Sequence, residues 1–143
     1  MKRLLKGTSI LLVMAALGFW MTPVVLSALL PSSNDSDMIR RAYESRESNV
    51  WVEAPARVTR LLPDVKDLGH FQEFRIELEN GHVLRVMHDL DRAQRVPFSV
   101  GSQVRIRGEY DWSPEGGVIH WTHIDQSGER DGGWILYEGR RYN

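Results

Sequence analysis

One stretch of the chain, residues 110–134, concentrates the side chains that could bind a ligand or do chemistry. It holds three of the five tryptophans and two of the five histidines, together with two Gly-Gly pairs. His120, His123 and Asp125 offer imidazole and carboxylate groups, which zinc and other divalent transition metals accept as ligands. The sequence therefore predicts a candidate metal site at these three residues, with His88 as a further candidate ligand.

Strand geometry sets a condition on this metal site. The pattern of residues 118–123 predicts a strand, and residues three apart on a strand point to opposite faces. His120 would then share a face with Thr122, and Trp121 with His123. The two imidazoles can reach one ion only if the strand ends or bulges near Thr122. We therefore favour the interpretation that both histidines hydrogen-bond to backbone groups or to nearby acids.

An enzyme is the alternative that the same residues allow. In a metal-dependent hydrolase a histidine could act as the base, Asp125 could orient it, and Arg130 could hold an anion. The sequence contains no Ser-centred nucleophile elbow, no phosphate-binding glycine loop and no pair of catalytic carboxylates. It also has no cysteine, which excludes thiolate metal sites and cysteine nucleophiles. We favour a non-enzymatic binding module, and the only cofactor suggested is a divalent transition metal such as zinc.

The candidate binding residues are the aromatic, histidine and charged side chains of this stretch, with one histidine upstream. The set is His88, Tyr110, Trp112, His120, Trp121, His123, Asp125, Arg130 and Trp134. Aromatic rings supply large contact areas, and tryptophan and tyrosine add a polar group. The ligand expected from this set is an envelope protein, a glycan or a small anion.

Charge is distributed unevenly along the chain. Residues 1–33 hold three of the 18 basic side chains and none of the 19 acidic ones, so the rest carries 15 against 19, a net charge of -4. Binding to a phosphate backbone requires clustered Lys and Arg. We therefore expect no nucleic-acid partner.

The N-terminal segment predicts a leader. Lys2, Arg3 and Lys6 precede an uncharged run whose apolar centre, Ile10 to Leu30, is 21 residues long. As a helix this centre would span roughly 30 Å, about one hydrocarbon thickness. A basic start before an apolar run is also typical of a cleaved signal peptide. The length slightly favours an uncleaved membrane anchor, and either form predicts an extracytoplasmic, periplasmic domain in the cell envelope.

The chain divides into three predicted parts. They are a leader over residues 1–30, a linker with a short amphipathic helix over residues 31–48, and a β domain over residues 49–143. The helix is predicted from about Met38 to Ser48, with Asp35, Ser36 or Asp37 as its cap.

Alternation of apolar and polar residues predicts five main strands in the β domain. Pro55 in the first strand indicates an edge or a bulge there. Around Gly81, a three-residue hairpin loop with a left-handed glycine places Ile76 opposite Leu84, which puts the apolar residues of both strands on one face. A small hairpin is predicted at residues 134–142.

Five strands, the first long and bulged, favour a mainly β fold. We predict a small five-stranded Greek-key barrel that is OB-fold-like, with a C-terminal loop extension, and an SH3-like barrel is the rival. Because so small a domain buries a limited share of its surface, we expect Trp51, Trp112, Trp121 and Trp134 to contribute to its core.

Several motifs resemble a bacterial family of unknown function, the DUF3465 proteins. The motifs are Gly108-Glu109-Tyr110-x-Trp112, Gly116-Gly117-Val118-Ile119-His120-Trp121-Thr122-His123-x-Asp125, Gly132-Gly133-Trp134-Ile135 and His88-x-Leu90-Asp91. The resemblance covers roughly the last 90 residues and implies an N-terminal leader and an OB-type envelope module. The chain departs from the pattern at Ile124, Gln126 and Asp131, where the family pattern has His, Pro and His. If those histidines were ligands, this chain lacks them.

Overall fold

The computed structural model describes residues 33–143. Its elements are α1 (Ser36–Ser45), β1 (Val50–Leu61), β2 (Phe71–Leu78), β3 (Val83–Asp89), β4 (Gln103–Asp111), β5 (Val118–His120), β6 (Trp134–Tyr137) and β7 (Arg140–Tyr142). No helix within this part of the chain is long and apolar enough to cross a membrane. The predicted leader, residues 1–30, lies outside the described residues.

The first five strands close into a barrel. Their order is β1-β2-β3-β5-β4, and β4 pairs back onto β1. All of these pairings are antiparallel except the one between β3 and β5, which is parallel. This arrangement confirms the predicted five-stranded, OB-like Greek-key barrel. The predicted C-terminal hairpin is confirmed as β6 and β7, and β6 adds to the edge of β4.

The long strand β1 is shared between two neighbours. Its residues 50–57 pair with β4 and its residues 56–61 pair with β2, with an irregularity between Val58 and Arg60. Pro55 lies where β1 pairs with β4 alone, so the other side of the strand is open there. Of the two alternatives predicted from Pro55, a strand edge or a bulge, the structure confirms the edge.

The hairpin between β2 and β3 has the predicted register. Phe74 lies opposite Val86 and Ile76 opposite Leu84. Gly81 adopts a left-handed φ of 81°, which glycine tolerates without steric cost, and its N–H donates to the carbonyl of Leu78 at 2.9 Å. The apolar side chains of both strands therefore face the core.

The core combines strand residues with two contributions from outside the barrel. Helix α1 buries Ile39 and Ala42, and the segment before β4 buries Phe98. The ring of Phe98 packs 4.5 Å from that of Phe74 and 6.2 Å from that of Tyr137, centroid to centroid. Edge-on aromatic pairs of this kind add to the stabilisation from burial.

Two predictions about these elements are wrong. Trp51, Trp112 and Trp121 are only half-buried, and of the four tryptophans expected in the core only Trp134 is buried. Trp51 pairs with Glu109 on the outward-facing side of the barrel wall, so strand parity keeps its ring out of the core. Helix α1 ends at Ser45 rather than at residue 48, because the next residue adopts a left-handed φ of 57°.

Candidate functional site

Strands β5 and β6 share the same edge of β4, with a loop between them. His120 of β5 pairs with Glu109, and Trp134 of β6 pairs with Arg107. Only Gly108 separates these two positions on β4, so residues 121–133 leave the sheet and return almost at the same place. We call these residues the Trp121 loop. Compact loops whose ends lie close together are frequently functional.

The Trp121 loop begins with an unusual backbone conformation. Trp121 has a φ of 55°, a left-handed geometry that costs an L residue roughly 1–2 kcal/mol. Strand β5 therefore ends at His120, and the predicted extension to His123 is wrong. Because the chain turns here, Thr122 is buried while His120 is partly exposed. The prediction that these two residues share a face is therefore wrong. Such strain persists where surrounding contacts hold it, and it clusters at functional sites.

The rings of Trp121 and His123 lie together although neither residue belongs to a strand. Their centroids are 5.0 Å apart. The Nδ1–H of His123 donates to the carbonyl of Ile124 at 2.8 Å, and the carbonyl of His123 accepts from the N–H of Gly133 at 2.7 Å. His123 thereby ties the start of the loop to its end.

A buried hydrogen-bonded chain anchors the loop to the barrel. The side chains of His88 and Thr122 are fully buried. His88 Nε2 lies 2.9 Å from the carbonyl of Gln94, and His88 Nδ1 lies 2.7 Å from the hydroxyl of Thr122. Because a carbonyl can only accept, Nε2 donates and Nδ1 accepts from the hydroxyl. Burial lowers the pKa of His88, which favours the neutral imidazole that these two contacts describe.

The carboxylate of Asp125 organises the middle of the loop. It accepts hydrogen bonds from the hydroxyl of Ser127 at 2.8 Å and from the N–H of Arg130 at 2.9 Å. The bond from the Ser127 side chain is the largest cause of the lowered pKa of Asp125. With its backbone held in this way, Arg130 donates to Glu109 at 3.0 Å and lies 5.4 Å from the ring centre of Trp121. Asp125 therefore positions Arg130.

A pocket of about 210 Å³ opens beside Trp121. It is lined by Phe71, Met87, Asp89, Arg92, His120, Trp121 and His123. The guanidinium of Arg92 lies 5.8 Å from the ring centre of Trp121 and forms an ion pair with Asp89 at 3.3 Å. The parallel pairing of β3 with β5 brings the loop to the ends of β2 and β3. The pocket lining thus combines apolar side chains with charged and imidazole groups.

Sequence reasoning missed four of these lining residues: Phe71, Met87, Asp89 and Arg92. They lie far from the Trp121 loop along the chain and meet it only through the barrel. The signal that could have found them is the parity of β2 and β3, which leaves Phe71 and Met87 as apolar residues on the outward face.

A cluster of two carboxylates and one imidazole borders the pocket. His120 Nε2 lies 2.6 Å from Asp111 Oδ2 and 3.8 Å from Glu109 Oε1. Within the described part of the chain, Glu109, Asp111 and His120 are the group of three side chains that could hold a metal ion. This group shares only His120 with the metal site predicted from the sequence. The metal-binding role of His123 and Asp125 stays a prediction.

The other candidate binding residues lie outside the pocket lining. Tyr110 is fully buried, its hydroxyl donates to the carbonyl of Gly116 at 3.4 Å, and burial raises its pKa to about 12. Trp112 lies under the guanidinium of Arg46 at 5.4 Å. Trp134 is 8% exposed, with the guanidinium of Arg141 4.5 Å from its ring centre. Tyr110 is therefore a core residue.

Comparison with known proteins places the chain in one family. The curated proteins give no significant match. The family described as "Protein of unknown function (DUF3465)" matches residues 22–143, which include the barrel, helix α1 and the Trp121 loop. The match covers most of the chain and confirms the resemblance of its motifs. The protein belongs to the DUF3465 family.

Proposed function

We propose that this protein is a non-enzymatic binding module of the cell envelope, which holds a sugar residue of a glycan in the pocket beside Trp121. The observation that carries the proposal is the left-handed backbone of Trp121, which places a half-buried indole in the pocket wall. A conformation that costs free energy is retained where the position of the side chain matters.

The character of the pocket favours a neutral, polar ligand over an anion. The arginine in its lining, Arg92, already pairs with Asp89, and Arg130 beside Trp121 pairs with Glu109. An anion would have to compete with these carboxylates. A sugar can place its apolar face on an aromatic ring while its hydroxyl groups bond to the charged and imidazole groups of the lining. The pocket is smaller than the roughly 300–1,000 Å³ of sites for drug-sized ligands, so it fits one residue of a longer glycan.

The arrangement of the loop supports binding rather than hydrolysis. The hydrolase interpretation requires Asp125 to orient a catalytic histidine. Its carboxylate instead accepts from Ser127 and Arg130, and the Nδ1–H of His123 donates to a backbone carbonyl. Near the Trp121 loop, within residues 33–143, the histidine that contacts a carboxylate is His120, and its partner is Asp111.

The envelope location is supported by the basic start and the 21-residue apolar run at residues 10–30. Cell fractionation with N-terminal sequencing tests it. A membrane-bound chain that keeps Met1 indicates an anchor, and a shortened chain in the periplasm indicates a cleaved signal peptide. A full-length chain in the cytosolic fraction would contradict the location.

The binding role is tested with a panel of immobilised oligosaccharides built from hexoses and N-acetylhexosamines. The full chain, purified in a mild detergent, is compared with Trp121→Ala and with the matched variant Trp112→Ala, whose ring also lies half-buried beside an arginine. We expect saturable binding that Trp121→Ala weakens at least about 10-fold, or roughly 1.4 kcal/mol, and that Trp112→Ala leaves unchanged. Absence of saturable binding, or equal binding by Trp121→Ala, would overturn the proposal.

A further inference from the structure

We propose that Glu109, Asp111 and His120 bind one divalent transition-metal ion at the edge of the pocket. This inference goes beyond the proposed glycan binding and does not depend on it. It rests on where the barrel places these three side chains and on how their remaining atoms are held.

The sheet brings the three residues together by parity and register. Glu109 and Asp111 are two positions apart on β4, so their side chains share the outward face. His120 pairs with Glu109 across the antiparallel ladder between β4 and β5. Side chains of directly opposed strand residues lie within contact distance of each other. The ladder therefore presents two carboxylates and one imidazole to the same point.

The atoms that converge are those left over from other hydrogen bonds. Asp111 Oδ1 accepts from the backbone N–H of Asn49 at 2.9 Å, and Glu109 Oε2 accepts from Arg130 at 3.0 Å. The second oxygen of each carboxylate faces His120 Nε2, at 2.6 Å for Asp111 Oδ2 and 3.8 Å for Glu109 Oε1. Outer hydrogen bonds of this kind orient metal ligands and fix which atom binds.

The burial of the cluster also favours an ion. The side chain of Glu109 is only 9% exposed, and those of Asp111 and His120 are about one-third exposed. A carboxylate kept from water needs compensating charge, which Arg130 supplies from one side. A divalent cation would add to it from the other side, because the two carboxylates carry a formal charge of -2 and Arg130 offsets one of these two charges.

The ligand set indicates the class of metal. One imidazole nitrogen and two carboxylate oxygens suit zinc, manganese or ferrous iron, in contrast to the all-oxygen sites that calcium and magnesium prefer. When Nε2 of a neutral His120 binds the ion, the single N–H of the imidazole lies on Nδ1. Three protein ligands leave a coordination position open, and His120 also lines the pocket.

The test is calorimetric titration of the chelator-treated full chain with Zn²⁺, repeated with Co²⁺ while its visible absorption is recorded. We expect one ion per chain and a Co²⁺ absorption spectrum that is typical of nitrogen and oxygen ligands. Asp111→Asn, Glu109→Gln and His120→Gln should each weaken binding at least about 10-fold, since loss of an outer partner alone costs about 10–100-fold. The matched variant His123→Gln should bind as the unchanged chain does.

Thermal unfolding of each variant shows that any loss of binding does not come from loss of the fold. The proposal is overturned if the folded chain binds no stoichiometric ion, or if Asp111→Asn and Glu109→Gln keep the original affinity. It is also overturned if His123→Gln loses the ion, which would move the site to the Trp121 loop. Trp121→Ala should keep the ion, which separates failure here from failure of the glycan proposal.

Discussion

Acidification should destabilise this protein through one buried imidazole. His88 is fully buried between Thr122 and the carbonyl of Gln94, and burial lowers its pKa. In the unfolded chain the same histidine takes up a proton near its ordinary pKa of about 6.5. Between that value and the lower pKa of the folded state, the unfolded state binds more protons. The free energy of unfolding therefore falls as the pH falls through this window.

The size of this effect follows from proton linkage. A single group contributes a slope of up to about 1.4 kcal/mol per pH unit within its window. Because a small domain is stable by only about 5–15 kcal/mol, a fall of up to roughly 1 kcal/mol between pH 6.5 and 5.5 is measurable. The carboxyl groups of Asp64 and Asp125 have lowered pKa values. Their contributions are present above about pH 3.9 and are lost only as the pH falls through the lower pKa of the folded state.

The assay is denaturant unfolding of the full chain, followed by tryptophan fluorescence at pH 7.5, 6.5 and 5.5. His88→Gln removes the titrating group and leaves buried partners imperfectly paired, so it should cost roughly 1–3 kcal/mol at pH 7.5 and flatten the pH slope. His82→Gln is the matched control, because His82 bonds to the carbonyl of Gly116 from a less buried position. If His88→Gln retains the full slope, the assignment of the slope to His88 is refuted.

Two further predictions concern the turn before β5 and the Trp121 loop. Gly117 has a φ of 94°, and a Cβ there would overlap the ring of Tyr110. Gly117→Ala should therefore cost at least about 2 kcal/mol of unfolding free energy, measured by denaturant unfolding. Gly128→Ala, with a φ of 72° but open space around it, should cost only about 1–2 kcal/mol, and equal costs would contradict the overlap. Ser127→Ala should raise the pKa of Asp125 towards its ordinary value, because the Ser127 side chain is the largest cause of its lowering. An NMR titration of the Asp125 carboxyl measures this, and an unchanged pKa would contradict it.

The barrel was predictable because its strands face water on one side and the core on the other. In β2 and β3 that alternation allows only one register that keeps Phe74, Ile76, Leu84 and Val86 on a common face, and the structure has it. Pro55 likewise predicts an edge from covalent chemistry alone. The prediction for the tryptophans was wrong because it relied on the rule that large apolar residues usually lie in the core. Trp51, Trp112 and Trp121 occupy positions that expose them to water instead.

The candidate site was only partly predictable, for a different physical reason. The sequence indicates His120 and Trp121, but strand periodicity carries no sign that the chain turns at Trp121. Tryptophan has no preference for a left-handed backbone, so the φ of 55° there is imposed by tertiary contacts. Glu109 and Asp111 look like ordinary solvent-facing residues until the register of β4 against β5 is known.

His120 belongs to both proposed sites, so variants of other residues are needed to distinguish glycan binding from metal binding. It lines the pocket beside Trp121 and it bonds to Asp111 in the acidic cluster. A variant of His120 alone would affect glycan and metal binding together and would distinguish nothing. Trp121 does not belong to the cluster, and Asp111 does not line the pocket. If metal and glycan act as one site, Asp111→Asn should weaken glycan binding only when the ion is present, because the two ligands are then thermodynamically linked. If the sites are independent, Asp111→Asn should leave glycan binding unchanged with and without the ion.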